Sequence, residues 1–246
     1  MDVHHHSHTS RKKWTHYFWE FLMLFLAVFC GFLAENQREH MIEHKREKKY
    51  IASFVKDVEL DIVSLRQAED IRKKYANYYD SLIYLFKNYN DSSLTDIYFY
   101  ARHAGRYTNF KYHDGTIQQL KSGGNLRLVR NKNAADSIII YDNELINTVL
   151  DQQVFESTLK LKTTSDYWGK LFDAYEWNET ADDTGAIMRT RHDPKLFNKD
   201  PKLINDFALH VGMIKTASFI CNKYIEKAIQ YAERLIAFLK KEYNLK

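Results

Sequence analysis

The stretch WTHYFWEFLMLFLAVFCGFLA, residues 14–34, decides the architecture. From Phe21 to Ala34 it carries no charge, and Glu20 is the only acidic residue in the whole run. As a helix it is about 31 Å long, which matches a hydrocarbon core of roughly 30 Å. Arg11, Lys12 and Lys13 precede it, and Trp14, Tyr17, Phe18 and Trp19 crowd its entry like an interfacial aromatic belt. A cleaved signal sequence is the rival reading, but such segments have shorter apolar cores and end at a small-x-small site. Gly31 and Ala34 do not have that spacing. The reading is an uncleaved anchor, and no second stretch approaches spanning length, which predicts a single-pass membrane protein.

The rest of the 246-residue chain is long enough for one sizeable domain with its own core. Only 8 glycines and 2 prolines interrupt it, so the fold class is all-α: an N-terminal transmembrane helix continuous with, or followed by, a long-helix antiparallel bundle. Residues 1–13 form a polar tail, 14–34 the membrane helix and 35–246 a helical soluble domain, with long helices at about 36–89, 131–175 and 213–243. A net charge of +4 has no polyelectrolyte character, so nucleic acid is not an expected partner. The aromatic and basic residues between Tyr98 and Tyr112 read as bundle packing with a wet edge. Cys30 lies in the apolar run and Cys221 near the C-terminus, so no disulfide is expected between them.

Apolar residues recur at Ile51, Phe54/Val55, Val58, Ile62, Leu65, Ala68, Ile71, Tyr75, Tyr78/Tyr79, Leu82, Leu85/Phe86 and Tyr89, the 3-4 spacing of an amphipathic helix. Continued upstream it makes one rod with the membrane helix, suited to a coiled-coil partner; as the first helix of an intramolecular bundle it pairs with the later helices. Asn88 to Ser93 reads as a turn with Ser92 or Ser93 as N-cap of a helix from Leu94. Thr116 to Lys121 reads as a short helix stopped by Ser122-Gly123-Gly124. Polar and β-branched residues at 159–165 suggest a break in the 131–175 helix. Asp200 and Pro201 suit a helix start, and Gly212 either interrupts or is passed through.

Four groups are candidate sites. Gly123 and Gly124, with Arg127 and Arg130 after them, suit an anion or ligand loop, although no phosphate-loop pattern is present; a tight helix–helix turn is the plainer reading. Glu20 either reaches the headgroup level or meets a polar group on a partner helix. Ala27 and Gly31 give a small-xxx-small spacing that supports helix association. His4, His5, His6 and His8 are a weak metal set in the tail. No cofactor is implied. His103, His113, His192 and His210 are scattered, and a hydrolase would require a buried His–carboxylate cluster that the sequence does not specify. The chain reads as a non-enzyme.

Three stretches carry a resemblance: KKWTHYFWEFLMLFLAVFCGFLAEN at 12–36, KREKKYI at 45–51 and QLKSGGNLRLVRNK at 119–132. With the His-bearing tail, they resemble an uncharacterised Bacteroidota family of small single-pass membrane proteins, a conserved domain of unknown function. The resemblance implies an inner-membrane protein of a Gram-negative bacterium with a helical soluble domain, and it supplies no activity and no site residues. The expected partners are membrane lipid and another membrane protein or a second copy of the chain. The expected role is a protein-interaction, assembly or accessory subunit, with a sensor or binding module for a small anionic ligand at 105–130 as the alternative. A Lys/Arg count favours a cytoplasmic C-terminal side, five against three. The three N-terminal cations abut the membrane edge, however, while four of the five C-terminal ones, from Lys45 on, begin ten or more residues past it. The periplasmic placement of the soluble domain is favoured.

Overall fold

The computed structural model describes residues 14–89 and 94–245. The proposed Ser92/Ser93 cap and the tail histidines His4, His5, His6 and His8 lie outside them. The fold is all-α: a long apolar N-terminal helix, then a bundle of several helices, with no sheet among the described residues. Helix α1 is Trp14–Lys87, α2 Leu94–Ala104, α3 Gly115–Ser122, α4 Lys132–Ile139, α5 Asn147–Leu171, α6 Ala174–Asn178 and α7 Pro201–Glu242. A 3₁₀ turn, Asn125–Leu128, follows α3, and a π-helix, Ile140–Ile146, joins α4 to α5. Contacts divide the chain into two units, 1–49 and 50–246.

In the first unit the apolar side chains from Trp14 to Leu33 point outward on every side, and none of the most apolar window is buried. A helix that is apolar all round and uncovered needs a non-aqueous solvent. It is the one helix among the described residues long and apolar enough to cross a membrane, which supports membrane anchoring. Phe21, Phe25 and Phe29 stack in sequence along one face at 6.3 and 5.8 Å.

In the second unit the core has two apolar clusters. Along α1 the first holds Ile51 to Ala68 and the second Tyr79 to Phe86. The helix running from α4 to α5 meets them in the same order, whereas α7 places Phe207, Val211 and Ile214 in the second cluster and Cys221 to Leu239 in the first. So α7 runs antiparallel to both of the others, and the chain between α1 and α4 carries it back for a parallel pass.

Local chemistry accounts for most boundaries. Asn131 caps α4 by accepting the Ala134 N–H at 3.2 Å, and Asp200 caps α7 by accepting that of Lys202 at 3.0 Å, with Pro201 in the first turn. Gly212 is passed through. The break foreseen at 159–165 does not occur, because Thr163, Thr164 and Ser165 donate their hydroxyls to the carbonyls of Leu159, Leu161 and Lys162. Side chains that back-bond in this way stay inside a helix. The irregularity falls earlier, in the π-helix, which turns the consecutive residues Tyr141 and Asp142 both inward.

Candidate functional site

The inward faces of α1, α5 and α7 are not purely apolar. Between the two clusters lies a buried ionic layer formed by Arg72, Glu156 and Lys160. Arg72 Nε donates to Glu156 Oε2 at 2.8 Å, Lys160 Nζ lies 2.6 Å from Glu156 Oε1, and the Ser218 hydroxyl on α7 donates to the same oxygen at 2.7 Å. Arg72 also donates to the Thr108 carbonyl at 2.5 Å and the Gln153 amide oxygen at 3.4 Å, and Lys160 to the Arg106 carbonyl at 3.0 Å. Burial alone would raise the Glu156 carboxyl, but Lys160 and Arg72 outweigh it and hold it below the ordinary carboxylate value. Burial lowers the Lys160 ammonium, since it faces one anion and a second cation. The two directions agree: the carboxylate has two cations, and each cation has half a partner.

A second polar group ties the irregular segment 106–114 to α1. Asp61, fully buried, accepts the His113 backbone N–H at 2.8 Å and the Tyr141 hydroxyl at 2.9 Å, with His113 Nδ1 at 2.9 Å. Asp57 accepts the Thr116 N–H at 3.0 Å and the Ser64 hydroxyl oxygen that of Lys111 at 2.9 Å. Residues 57, 61 and 64 share one face of α1, so one stripe supplies acceptors to the irregular segment and to the first turn of α3, whose N–H groups lack helix partners. Burial pushes the Asp61 carboxyl up from its ordinary value, against these hydrogen bonds. His113 and Asp61 form a His–carboxylate pair in which the carboxylate is buried and the imidazole is partly exposed. Two of the three groups bonded to Asp61 are fastenings of the fold, and His113 lines neither of the grooves described next.

The outward faces carry what the inward faces lack. On α5, Val154, Phe155 and Leu161 are 66, 54 and 60% exposed, whereas Glu156 and Lys160 on the same helix are 2 and 1% exposed. Phe155 and Leu159 form one wall of a groove of about 780 Å³ whose other wall is α7, with Leu209, Met213 and Ile220 along its edge. Ala208, Gly212 and Thr216, spaced four apart, line its α7 side, and nothing lies within 4 Å of where a Gly212 Cβ would sit. On the other flank of α5, Leu150, Val154 and Leu161 line a smaller groove of about 410 Å³ with Tyr107 and Phe110. The exposed ridge of α5 thus stands between two apolar depressions.

Comparison with known proteins finds no matching family model, no similar curated protein and no similar solved structure.

The sequence candidates fall elsewhere. Gly124 adopts φ +61° and begins the 3₁₀ turn, while the Gly123 and Gly124 N–H groups donate to the Gln119 and Lys121 carbonyls, both at 3.4 Å. Arg127 and Arg130 are exposed. Glu20 Oε1 lies 3.0 Å from His16 Nε2 one turn back, and Ala27 and Gly31 are uncovered. The ionic layer and the α5 ridge escaped the sequence reading. The periodic apolar series places Ile71 inside, yet the structure buries its neighbour Arg72, and on α5 it buries Gln153 and Glu156 beside the exposed Val154 and Phe155. The available signal was a glutamate and a lysine four apart, Glu156 and Lys160, beside an apolar pair.

Proposed function

We propose that the chain is a membrane-anchored, non-catalytic subunit that binds a helix of another protein in the groove between α5 and α7. The observation that carries this reading is the local inversion of polarity on α5, which buries Glu156 and Lys160 while Val154, Phe155 and Leu161 stand in water. Leaving such a ridge uncovered forfeits about 1.5–3 kcal/mol for each large side chain that a partner would otherwise cover. The small residues Ala208, Gly212 and Thr216 favour a helix as occupant, because a backbone approaches closely where side chains are short, and the flanking Leu209 and Met213 offer ridges for it to pack between. An anchored chain meets such partners at high local concentration, which suits an assembly or accessory role. In this reading the anchor lies in a bacterial inner membrane. The soluble unit is placed in the periplasm on the strength of Arg11, Lys12 and Lys13 directly before the span.

A photo-crosslinking amino acid at Phe155 or Met213, in the full chain in native membranes, tests the binding reading. A discrete adduct that disappears in Gly212→Leu and Phe155→Glu chains of unchanged helicity is the expected result. Both positions are open to solvent, so neither variant disturbs the core. No adduct at either position would overturn it. A reporter fused after Lys246 that distinguishes periplasm from cytoplasm tests the topology separately.

A further inference from the structure

Between α5 and α7 the chain makes a long excursion, residues 172–200, in which α6 is the one helix. Glu176 on α6 and Glu179 at its C-cap stand three residues apart, on adjacent positions of one helical turn. His192 returns to them from the far limb of the excursion. His192 Nε2 is 2.7 Å from Glu176 Oε2, and Nδ1 is 3.4 Å from Glu179 Oε2. One ligand atom from each of the three residues lies within 4.8 Å of the other two, and all three side chains are reachable from solvent.

The two limbs are positioned independently of these side chains. The fully buried Tyr98 hydroxyl accepts the Asp173 N–H at 2.9 Å and donates to the Lys195 carbonyl at 2.7 Å. Asp173 in turn caps α6 through the Tyr175 and Glu176 N–H groups, and the Thr190 hydroxyl donates to the His192 carbonyl at 2.8 Å. One core hydroxyl therefore ties the limb bearing the carboxylates to the limb bearing the imidazole. Ligands on limbs tied in this way lose less entropy when an ion draws them together.

We propose that Glu176, Glu179 and His192 bind a divalent transition-metal ion, zinc by the nature of the donors, which clips α6 to the 187–196 limb. Two carboxylates and one imidazole are the ligand types of three-residue zinc sites, in which water completes the coordination; an imidazole among three donors disfavours calcium and magnesium. Without the ion, His192 stands between the two carboxylates with one ring nitrogen facing each. On binding, one ring nitrogen gives its lone pair to the metal, and any proton it carried passes to solvent.

Isothermal titration of zinc chloride into the full chain in detergent tests this, with His4, His5, His6 and His8 replaced by alanine in every sample so that the tail contributes no site. The expected result is one zinc per chain, weakened at least tenfold by His192→Ala and by Glu179→Gln. The exposed His40→Ala, whose Nδ1 lies 3.9 Å from a Glu43 carboxylate oxygen, leaves the affinity unchanged. Zinc also slows hydrogen exchange across 179–193 in the parent and not in His192→Ala. No stoichiometric zinc, or zinc binding indifferent to both substitutions, would overturn the proposal.

Discussion

Arg72 and Glu156, 84 residues apart in the chain, meet at 2.8 Å with both side chains excluded from water. An ion pair in that position owes its value to completeness. Arg72, Lys160 and Ser218 all converge on the one carboxylate, so removing the carboxylate strands two buried cations at once.

Glu156→Gln is therefore expected to cost about 3–5 kcal/mol, the usual penalty for breaking a buried pair. The triple change Arg72→Met, Glu156→Leu, Lys160→Met is expected to be far milder, because apolar groups of similar volume need no partners. Denaturant midpoints of the two proteins check the contrast; a single change milder than the triple one would contradict it.

The same carboxylate sets part of the acid response. Its value in the folded chain lies below its unfolded value of about 4.5, so its contribution is fully present above the unfolded value and is lost as the pH falls through the lower, folded one. The wild-type chain should lose stability down that window more steeply than Glu156→Gln. Thermal midpoints at a series of pH values give the two slopes.

Asp61→Ala removes the acceptor for the His113 N–H and the Tyr141 hydroxyl together. The expected result is faster hydrogen exchange at His113 and a loss of about 2–4 kcal/mol, from two unsatisfied groups at about 1–3 kcal/mol each, partly relieved by water. Tyr141→Phe, which leaves the His113 bonds in place, should cost about 1 kcal/mol and leave that exchange slow.

Three glycines separate backbone from packing effects. A methyl at Gly105 would collide with the Trp168 indole, so Gly105→Ala should cost about 1–3 kcal/mol through overpacking. Gly124→Ala meets no atom but must hold φ +61°, which costs about 1 kcal/mol. Gly212→Ala sits in open space within a helix and should stabilise by about 0.5–1 kcal/mol. Chemical denaturation of the three variants gives opposite signs for the last two.

The long helices were legible in the sequence because the 3-4 apolar spacing and the Asp200-Pro201 start are local signals. The inward face was harder to read. Residues 71 and 72 differ by about 100° around the helix, and the periodic series chose the apolar Ile71. Arg72 wins the interior only because Glu156, Gln153 and the Thr108 carbonyl arrive from distant parts of the chain to receive it. The same long-range pairing joins Asp61 to His113, 52 residues apart, a separation at which no local spacing marks two residues as partners. The π-helix was also hidden, since its reward is the simultaneous burial of Tyr141 and Asp142, which bond Asp61 and the Tyr112 hydroxyl.

That π-helix makes the chain tolerant of a change in length at one place. One wide turn is equivalent to a single inserted residue, so a one-residue deletion within 140–146 would restore an ordinary α-helix from Lys132 to Leu171 and leave its two ends in phase. A deletion elsewhere along that helix has no wide turn to absorb it and would rotate one side by about 100° relative to the other. Ala134 and Ile138 would then turn away from the core if α5 kept its seat, or Glu156 and Lys160 would turn away from Arg72 if α4 did. Substitutions along this helix act one side chain at a time, whereas a codon lost outside the wide turn would put half of it out of phase.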